Sequence, residues 1–370
     1  MIAMERAAVL GIGLIGGSLA LGLKERAGVE VYGYDRSEKT LHLAESAGVI
    51  HRGFTRMEEA VTKADYIFLA VPVGTAPDLL EALAELDLKP DCLISDVGST
   101  KGRIMEQAAV FPRLREAFIG GHPMAGSHQS GVKAARSLLF ENAYYILTPF
   151  PETPLSKVQR LSRLLVTATR AQLVIMNPEH HDRIVGAISH LPHILAAGLV
   201  NQVDRYNESN EWFHRLAAGG FRDLTRIAAS DPVMWRDILL SNRESILGLM
   251  QDWIREMERV KEALEAEDSF SIQTFFEQAK ISREQLPDRK IGILSPVWEC
   301  YVDVADHPGV IGKVATLLGE EGISIANIGV MENREDGAGV LRLAFREERD
   351  YRRAKTVLAR KGYTVIDLNE

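Results

Sequence analysis

The chain has 370 residues, of which 46% are hydrophobic and 25% charged, and its formal net charge is −8 at pH 7. This length predicts two or three domains, and the composition is that of an ordinary globular protein. No basic block offsets the acidic balance, so we expect no binding to nucleic acid. The two cysteines, Cys92 and Cys300, lie far apart and indicate neither a disulfide framework nor a metal site, which favours a reducing compartment.

The sequence carries no signal that would direct it to a membrane. Residues 1–6 lead into a predicted strand without the pattern of a signal peptide. We find no apolar run that is long enough to span a membrane. The chain is therefore predicted to be cytoplasmic and to have no membrane contact.

A glycine-rich turn follows the first predicted strand. The strand, residues 7–10, opens into Gly11-Ile12-Gly13-Leu14-Ile15-Gly16, and a helix rich in alanine and leucine comes next. Gly11 permits a tight turn, Gly13 lets the backbone approach a pyrophosphate, and Gly16 lets the helix pack closely on the strand. The N–H groups at the start of the helix attract phosphate. These six residues are predicted to bind a dinucleotide.

An acidic residue ends the second predicted strand. This residue is Asp35, and it lies about 20 residues after Gly16, as in dinucleotide-binding domains. A carboxylate there accepts hydrogen bonds from ribose hydroxyls and repels a 2′-phosphate, which favours NAD over NADP. Arg36 has two interpretations, because its guanidinium could pair with a 2′-phosphate or stack on the adenine.

Two further predicted strands point to the same ligand. Residues 65–72 end in Val71 and Pro72, where cofactor contacts cluster in such folds, and residues 92–97 lead into Gly98-Ser99. The alternation of strands and helices predicts a parallel sheet, whose carboxyl edge is its ligand side. Ser99 is therefore predicted to face the ligand, although serine is also a favoured helix N-cap.

His122 is the strongest candidate for proton transfer. It lies in Gly120-Gly121-His122-Pro123-Met124-Ala125-Gly126-Ser127, and its neighbours cannot all continue one helix. We therefore expect this histidine at a loop tip beside the cofactor. Its ordinary pKa of about 6.5 suits a proton shuttle during hydride transfer. The alternative is a turn histidine with no role.

The middle of the chain is predicted to be helical. A helix over 154–169 and a strand over 172–176 are followed by more than a hundred residues without strand patterning. Amphipathic stretches such as 238–264 take over. A helical domain with this much apolar surface is predicted to dimerise, because its faces need cover.

Two polar motifs interrupt this helical region. His190 and His193 are three residues apart and share one helix face unless Pro192 breaks the turn. No third ligand has the spacing of a metal site, so none is predicted. Arg226 follows a glycine pair and could clamp a carboxylate through both N–H groups of its fork. Its alternative is a surface salt bridge to Asp223 or Asp231.

The last 73 residues or so have the order βαββαβ, which predicts a ferredoxin-like unit over 298–370. Such a unit leaves a sheet edge and a glycine loop available to a ligand or a partner. The alternative is a unit that serves only in dimerisation.

Five motifs together make the chain resemble prephenate dehydrogenases with a C-terminal ACT domain, of the type found in Gram-positive bacteria. They lie in the family's order at 13–18, 96–101, 121–127, 189–193 and 221–228, and the resemblance covers essentially the whole length. It implies a Rossmann-type NAD-binding domain at 1–177, a helical substrate and dimerisation domain at 178–296, and an ACT regulatory domain at 297–370. The chain would then act as a homodimer.

The resemblance also implies a reaction, the NAD-dependent oxidative decarboxylation of prephenate to 4-hydroxyphenylpyruvate and CO₂ in tyrosine biosynthesis. His122 would draw off the C4 hydroxyl proton, and Ser99 would orient His122 and that hydroxyl. Arg226, Ser127 and His193 would fix the carboxylate and keto groups of the substrate. Which carboxylate Arg226 holds stays open, as does whether His190 assists or only packs.

The resemblance also implies regulation by an amino acid, and two other functions remain as alternatives. Asp306, Gly309 and Asn327 resemble the loop and the facing strand where ACT domains bind amino acids, and tyrosine is the expected effector. His128 stands where some members carry a glutamate implicated in feedback, which favours sensing by the ACT domain. The alternatives are an arogenate dehydrogenase and a non-enzymatic amino-acid sensor, and intact Ser99 and His122 argue against the sensor.

Overall fold

The computed structural model describes residues 4–126, 129–286, 298–305, 309–331, 338–345 and 347–366. The chain divides into two compact units, Met1–Asp288 and Arg289–Glu370. The first unit holds an eight-stranded sheet and a helical region, and the second holds a four-stranded sheet with two helices.

Strands and helices alternate along the first part of the first unit. The strands are β1 (Arg6–Leu10), β2 (Glu30–Tyr34), β3 (Arg52–Phe54), β4 (Tyr66–Leu69), β5 (Leu93–Asp96), β6 (Phe118–Pro123), β7 (Tyr144–Pro149) and β8 (Gln172–Ile175). The helices are α1 (Leu14–Glu25), α2 (Glu38–Ser46), α3 (Met57–Val61), α4 (Ala76–Ala84), α5 (Gly102–Val110), α6 (Pro112–Ala117) and α7 (Leu155–Thr169).

The strand order of this sheet is β3-β2-β1-β4-β5-β6-β7-β8. The first six strands of that order run parallel, as predicted. β7 is antiparallel to β6, and β8 is parallel to β7, so the sheet is mixed and not parallel throughout. The β6–β7 connection carries a 3₁₀ turn, Val132–Ala134, where a parallel pair would need a full crossover. The strand order reverses at β1, which creates a crevice at the carboxyl ends of β1 and β4.

The core lies on both faces of this sheet. Ala7 and Val9 point into one apolar cluster, and Ala8 and Leu10 point into the other. A strand buried on both faces reads as a continuous apolar run, which is how β1 appears in the sequence. Burial of each large aliphatic side chain contributes about 1.5–3 kcal/mol, so the strand ends are held on a rigid base.

The rest of the first unit is helical, as predicted. Its helices are α8 (Pro178–Val185), α9 (Leu191–Asn207), α10 (Trp212–Arg215), α11 (Gly219–Thr225), α12 (Pro232–Ser241), α13 (Arg243–Glu265) and α14 (Ser269–Glu284). A π-helical turn, Gly186–His190, joins α8 to α9, and a 3₁₀ turn, Arg226–Ala229, follows α11. The amphipathic stretch 238–264 is divided between α12 and α13 at Asn242.

α8, the π-helical turn and α9 form one continuous helical segment, Pro178–Asn207. With 30 residues and a mean hydropathy of 1.4 in its most apolar window, it is long and apolar enough to cross a membrane, which corrects our expectation. Pro192 lies just after the π-helical turn, so its missing N–H falls where the α-helical hydrogen-bond pattern is already interrupted. Only 22% of that window is buried within the chain.

The second unit has the predicted βαββαβ order. Its elements are β9 (Trp298–Ala305), α15 (Val310–Glu320), β10 (Asn327–Met331), β11 (Ala338–Phe345), α16 (Glu348–Arg360) and β12 (Thr364–Ile366). The strands are antiparallel in the order β10-β11-β9-β12. β10 begins at Asn327, and Ile323, which precedes the strand, is buried in the core of the unit.

Candidate active site

The carboxyl edge of the large sheet gathers most of the predicted site residues. β1 ends at the glycine turn, β2 ends before Asp35, and β5 ends before Ser99. β6 carries His122 as its penultimate residue. Since these strands are parallel, their ends share one edge, as the sequence predicts.

The glycine turn has the shape that a dinucleotide requires. A Cβ on Gly11 would lie 2.5 Å from the Ala70 carbonyl oxygen, and one on Gly16 would lie 2.0 Å from the Gly11 carbonyl oxygen. A Cβ on Gly13 would meet nothing within 4 Å. Gly11 and Gly16 are therefore needed for close packing, while the space beside Gly13 is open to a ligand. No side chain caps α1 at Gly13, so its first N–H groups are available to a phosphate.

Asp35 lies against this turn. Its Oδ2 accepts a hydrogen bond from the backbone N–H of Ile12 at 3.1 Å, and its Oδ1 accepts one from Ser37 at 2.9 Å. The carboxylate thus holds the turn as well as standing at the predicted ribose position. Arg36 is exposed and makes no ion pair among the described residues, which leaves its guanidinium available to an adenosine group.

Val71 and Pro72 follow β4 and border the turn. The Val71 Cγ1 would lie 3.0 Å from a Cβ on Gly11, and Pro72 is exposed. Together with Gly13 and Asp35, these residues fit NAD at this edge.

His122 lies in strand β6 and not at a loop tip, which corrects our expectation. Gly120 and Gly121 pair with Thr148 and Leu147 of β7. A Cβ on Gly120 would lie 2.2 Å from the Thr148 Oγ1, and one on Gly121 would lie 2.5 Å from the Asp96 carbonyl oxygen. The glycines are therefore needed for close packing, and they carry the strand on to its end.

The ring of His122 is held by a second histidine. Its Nδ1 lies 2.8 Å from the Nε2 of His181, and the two rings meet edge to face with centroids 5.0 Å apart. The side chain is half-buried, and surrounding protein lowers its pKa well below 6.5. Desolvation is the largest cause, and the neighbouring side chains of His181, Lys101 and His190 act in the same direction. His122 is therefore a neutral base at neutral pH.

A buried ion pair lies beneath His122. The Nζ of Lys101, which has no exposed surface, is hydrogen-bonded to Asp96 and donates to the Gly121 carbonyl oxygen at 2.6 Å. Asp96 also accepts the N–H groups of Gly98 and Gly121, at 2.8 and 3.0 Å. Burial lowers the pKa of Lys101, and Asp96 opposes that shift. This pair ties the end of β5 to the strand that carries His122.

His181 is in turn held by Asp182, and neither residue was singled out from the sequence. The His181 Nδ1 lies 2.7 Å from the Asp182 Oδ1. The same carboxylate accepts the backbone N–H groups of Lys101 and Gly102, at 2.7 and 2.8 Å. Both side chains are buried. The only sequence signal is a polar His-His-Asp run near the start of a helix, which normally indicates a solvated first turn.

Ser99 is half-buried beside this group. Its side chain makes no hydrogen bond within the described ranges, and α5 begins with Lys101 at the N-cap position. The partner that holds His122 is therefore His181 and not Ser99. The orienting role of Ser99 stays a prediction that concerns the substrate complex.

His190 and His193 both contact Trp235 from the helical region. The ring of His193 stacks on Trp235 at a centroid distance of 3.8 Å, and His190 meets it edge to face at 5.9 Å. His190 is 2% exposed, and its Nδ1 lies 3.1 Å from the Asn242 amide nitrogen. Burial lowers the pKa of His190 to about 4. Asn242 also donates to the Asp182 carbonyl oxygen, which connects His190 to the His181–Asp182 pair.

His193 has one ring nitrogen committed to the backbone. Its Nδ1 donates to the Ser189 carbonyl oxygen at 2.9 Å, so the Nε2 of the neutral ring is an acceptor. Desolvation lowers its pKa, which keeps the ring neutral at pH 7. His193 is therefore better suited to receive a hydrogen bond from a substrate hydroxyl than to bind a carboxylate.

Arg226 begins the 3₁₀ turn that packs on α9, the helix of His193. Its side chain is exposed and makes no ion pair in the part of the chain that the structure describes. Asp231 instead caps α12 through the N–H of Met234. The alternative to carboxylate binding, a salt bridge to Asp223 or Asp231, is thus not formed, and the guanidinium is available to a carboxylate. Ser127 and His128 lie outside the described residues.

Comparison with known proteins identifies the family of the chain. The family model "Prephenate dehydrogenase, nucleotide-binding domain" matches residues 19–175, and "Prephenate dehydrogenase, dimerization domain" matches residues 177–278. The chain belongs to the prephenate dehydrogenase family.

Individual relatives agree with this membership. The chain is 44% identical to the prephenate dehydrogenase of Bacillus subtilis (strain 168), with 95% of each chain covered. It is 40% identical to that of Lactococcus lactis subsp. cremoris (strain MG1363), with 98% of this chain and 100% of the relative covered. A crystal structure of the prephenate dehydrogenase from A. aeolicus, in complex with hydroxyphenyl propionate and NAD⁺, has a TM-score of 0.71 and 31% identity, and the match covers 77% of this chain and 99% of that one.

Two of the predicted effector residues are described in the second unit. Gly309 has φ +89°, precedes α15 and has open space where a Cβ would lie. Asn327 is exposed at the start of β10. Asp306 lies outside the described residues. Among all the residues that the structure describes, no group of three or more His, Cys, Asp or Glu side chains is placed to hold a metal ion.

Proposed function

We propose that the chain is an NAD-dependent prephenate dehydrogenase, which converts prephenate to 4-hydroxyphenylpyruvate and CO₂ in tyrosine biosynthesis. The observation that carries this proposal is His122. It is a neutral histidine at the sheet edge that bears the glycine turn, and one of its ring nitrogens has no hydrogen bond among the described residues. Family membership identifies the substrate with which this geometry agrees.

In this reaction the residues of the chain bind NAD and move the proton of the substrate hydroxyl. NAD, held at the glycine turn, supplies the acceptor for the hydride that leaves C4 of prephenate. His122 accepts the proton of the C4 hydroxyl as the carbon–oxygen bond gains double-bond character. The C1–carboxylate bond then breaks, its electron pair enters the ring, and CO₂ leaves. The resulting phenolate oxygen recovers the proton from His122.

The helical region supplies the binding of the substrate arm. Arg226, which is exposed and has no ion pair with any described residue, holds a carboxylate, since its fork matches both oxygens. Ser127 and His193 fix the remaining polar groups, with the Nε2 of His193 as an acceptor. His190 is 2% exposed, so it supports the site through Asn242 and Trp235 more than through the substrate.

A parallel set of assays tests the function. Formation of reduced cofactor is followed at its near-ultraviolet absorbance with prephenate or arogenate, each with NAD or NADP. We expect turnover with prephenate and NAD. A clear preference for arogenate would make the chain an arogenate dehydrogenase, and no turnover with either substrate would favour the amino-acid sensor.

We infer a three-domain cytoplasmic homodimer, with an NAD-binding domain at 1–177, a helical domain at 178–296 and an ACT domain at 297–370. The two family models meet between residues 175 and 177, which supports the first boundary. Large apolar side chains are exposed in the helical region, among them Leu199, Trp212, Phe213, Leu224, Trp253 and Phe270. A second copy would cover this surface. Light scattering of the eluted full chain should give twice the mass of 41.0 kDa.

We also infer that the ACT domain binds tyrosine and inhibits the enzyme. The βαββαβ order, the positive φ of Gly309 and the exposed Asn327 support this. Backbone N–H groups beside Gly309 would reach the amino-acid carboxylate, and a coupling of about 1–3 kcal/mol would give useful inhibition. Truncation after residue 296 and Asn327→Ala in the full chain should each weaken inhibition by tyrosine while prephenate turnover persists. Unchanged inhibition in the truncated enzyme would place the effector site in the first unit.

A further inference from the structure

We propose that His181 and Asp182 are positioning residues for the base: they fix the tautomer of His122 so that its Nε2 is the unprotonated nitrogen. This inference rests on the proposed function, because it concerns the atom that receives the substrate's proton.

Backbone donors decide the role of Asp182. The N–H groups of Lys101 and Gly102 can only donate, and they lie 2.7 and 2.8 Å from the two carboxylate oxygens. Both oxygens of Asp182 are therefore acceptors. The Nδ1 of His181, 2.7 Å from the same Oδ1, must be protonated and donate to it.

The next two assignments follow from the chemistry of imidazole. In the proposed arrangement His181 is a neutral ring with one N–H, so a proton on its Nδ1 leaves its Nε2 as an acceptor. The Nδ1 of His122, at 2.8 Å, must then carry the proton and donate. This leaves the Nε2 of His122 with a lone pair, and no other hydrogen bond of the ring occurs among the described residues.

The same hydrogen bonds also favour the positive charge that His122 gains when it is protonated. Burial and the neighbouring His181, Lys101 and His190 all disfavour a positive charge on His122, and the charge of Lys101 is already paired with Asp96. Asp182 is the anion that connects with His122 through a shared hydrogen-bonded ring. When His122 takes up the proton and becomes an imidazolium, it donates a hydrogen bond to the ring of His181. The negative charge of Asp182 lies on the other side of that ring and favours the imidazolium. Asp182 acts here as the third member of a hydrogen-bonded triad, which orients the ring beside it.

Removal of His181 gives the first test. His181→Ala should lower kcat with prephenate about 10²–10⁴-fold, the usual value of a correctly placed base, while the KM values for prephenate and NAD change little. Added imidazole should restore turnover in a saturable manner, since it can donate to Asp182 and accept from His122. 1-Methylimidazole has no N–H and should not restore it. His180→Ala, at the exposed neighbouring position, is the matched control and should keep full activity.

A second variant and a measurement on the unmodified enzyme keep the test decisive if His181→Ala does not fold. Asp182→Asn removes the charge and sets an amide N–H against a backbone donor, Lys101 or Gly102. It should therefore loosen the hold on His181 and lower kcat, with bound NAD retained. In ¹⁵N-histidine spectra of the unmodified enzyme, the signal lost in His122→Asn should belong to a ring protonated at Nδ1. Protonation at Nε2, or His181→Ala turnover equal to that of His180→Ala, would overturn the proposal. Absence of prephenate turnover in the unmodified enzyme would instead defeat the proposed function.

Discussion

The buried pair of Lys101 and Asp96 allows a sharp test of how the active-site strand is held. Lys101→Met keeps the length and most of the volume of the side chain and removes the charge. The Asp96 carboxylate, 1% exposed, keeps two backbone donors and loses its counter-ion. The Gly121 carbonyl oxygen loses its Nζ donor as well. The variant should therefore be destabilised, because a buried charge is left without compensation.

The size of the effect follows from burial. Removal of one partner from a buried pair costs about 3–5 kcal/mol. Lys89 and Asp65 form the matched control, since their 2.7 Å ion pair is 42% and 20% exposed. Lys89→Met should cost about 0–1 kcal/mol. At roughly 2–4 °C per kcal/mol, Lys101→Met should lower the Tm by roughly 6–20 °C and Lys89→Met by under about 4 °C.

Differential scanning calorimetry of the full chain measures both variants. Addition of NAD raises the Tm of the transition that contains its binding site, which distinguishes the first unit from the second. The shift for Lys101→Met should appear in that transition alone. Equal Tm shifts for the two lysine variants would refute the reasoning that burial sets the cost.

Four further predictions concern catalysis. His122→Asn should keep NAD binding and lower kcat about 10²–10⁴-fold, and near-normal turnover would remove His122 from the mechanism. Because burial lowers the pKa of His122 well below 6.5, kcat should stay level as the pH falls through 6.5 and decline only at lower pH, where the base becomes protonated; a decline centred near 6.5 would contradict this. Arg226→Ala should raise the KM for prephenate far more than that for NAD, and the reverse pattern would exclude a role in substrate binding. Asp35→Ser should improve the use of NADP relative to NAD, with Arg36 available to the 2′-phosphate, and equal use of both cofactors by the unmodified enzyme would refute the assignment.

The cofactor half of the site could be predicted from the sequence because its determinants are local. A glycine turn between a strand and a helix, followed by Asp35 at the end of the next strand, specifies the position of a pyrophosphate and a ribose. Parallel pairing then brings the other strand ends to the same edge. The predicted Ser99 and His122 lie at this edge for the same reason.

Two features could not be predicted in this way: that His122 lies in a strand, and that β7 runs antiparallel to β6. Glycine and proline are depleted in strands, so the run 120–127 favoured a loop. Gly120 and Gly121 form a strand because β7 and Asp96 approach too closely for any side chain. That approach is a property of the packed sheet and has no local signature.

The partner of His122 was missed for a different reason, which Asp182 explains. α5 has no side-chain cap of its own, and the Asp182 carboxylate supplies one from 80 residues away by accepting the first free N–H groups at Lys101 and Gly102. An anion at this end of a helix is favoured by the helix dipole. The same carboxylate directs His181 at His122, so the cap of one helix and the placement of the base depend on one contact between the sheet and the helical region. A polar run that looks like a solvated first turn therefore comes to hold His122 only when both parts of the first unit have folded together.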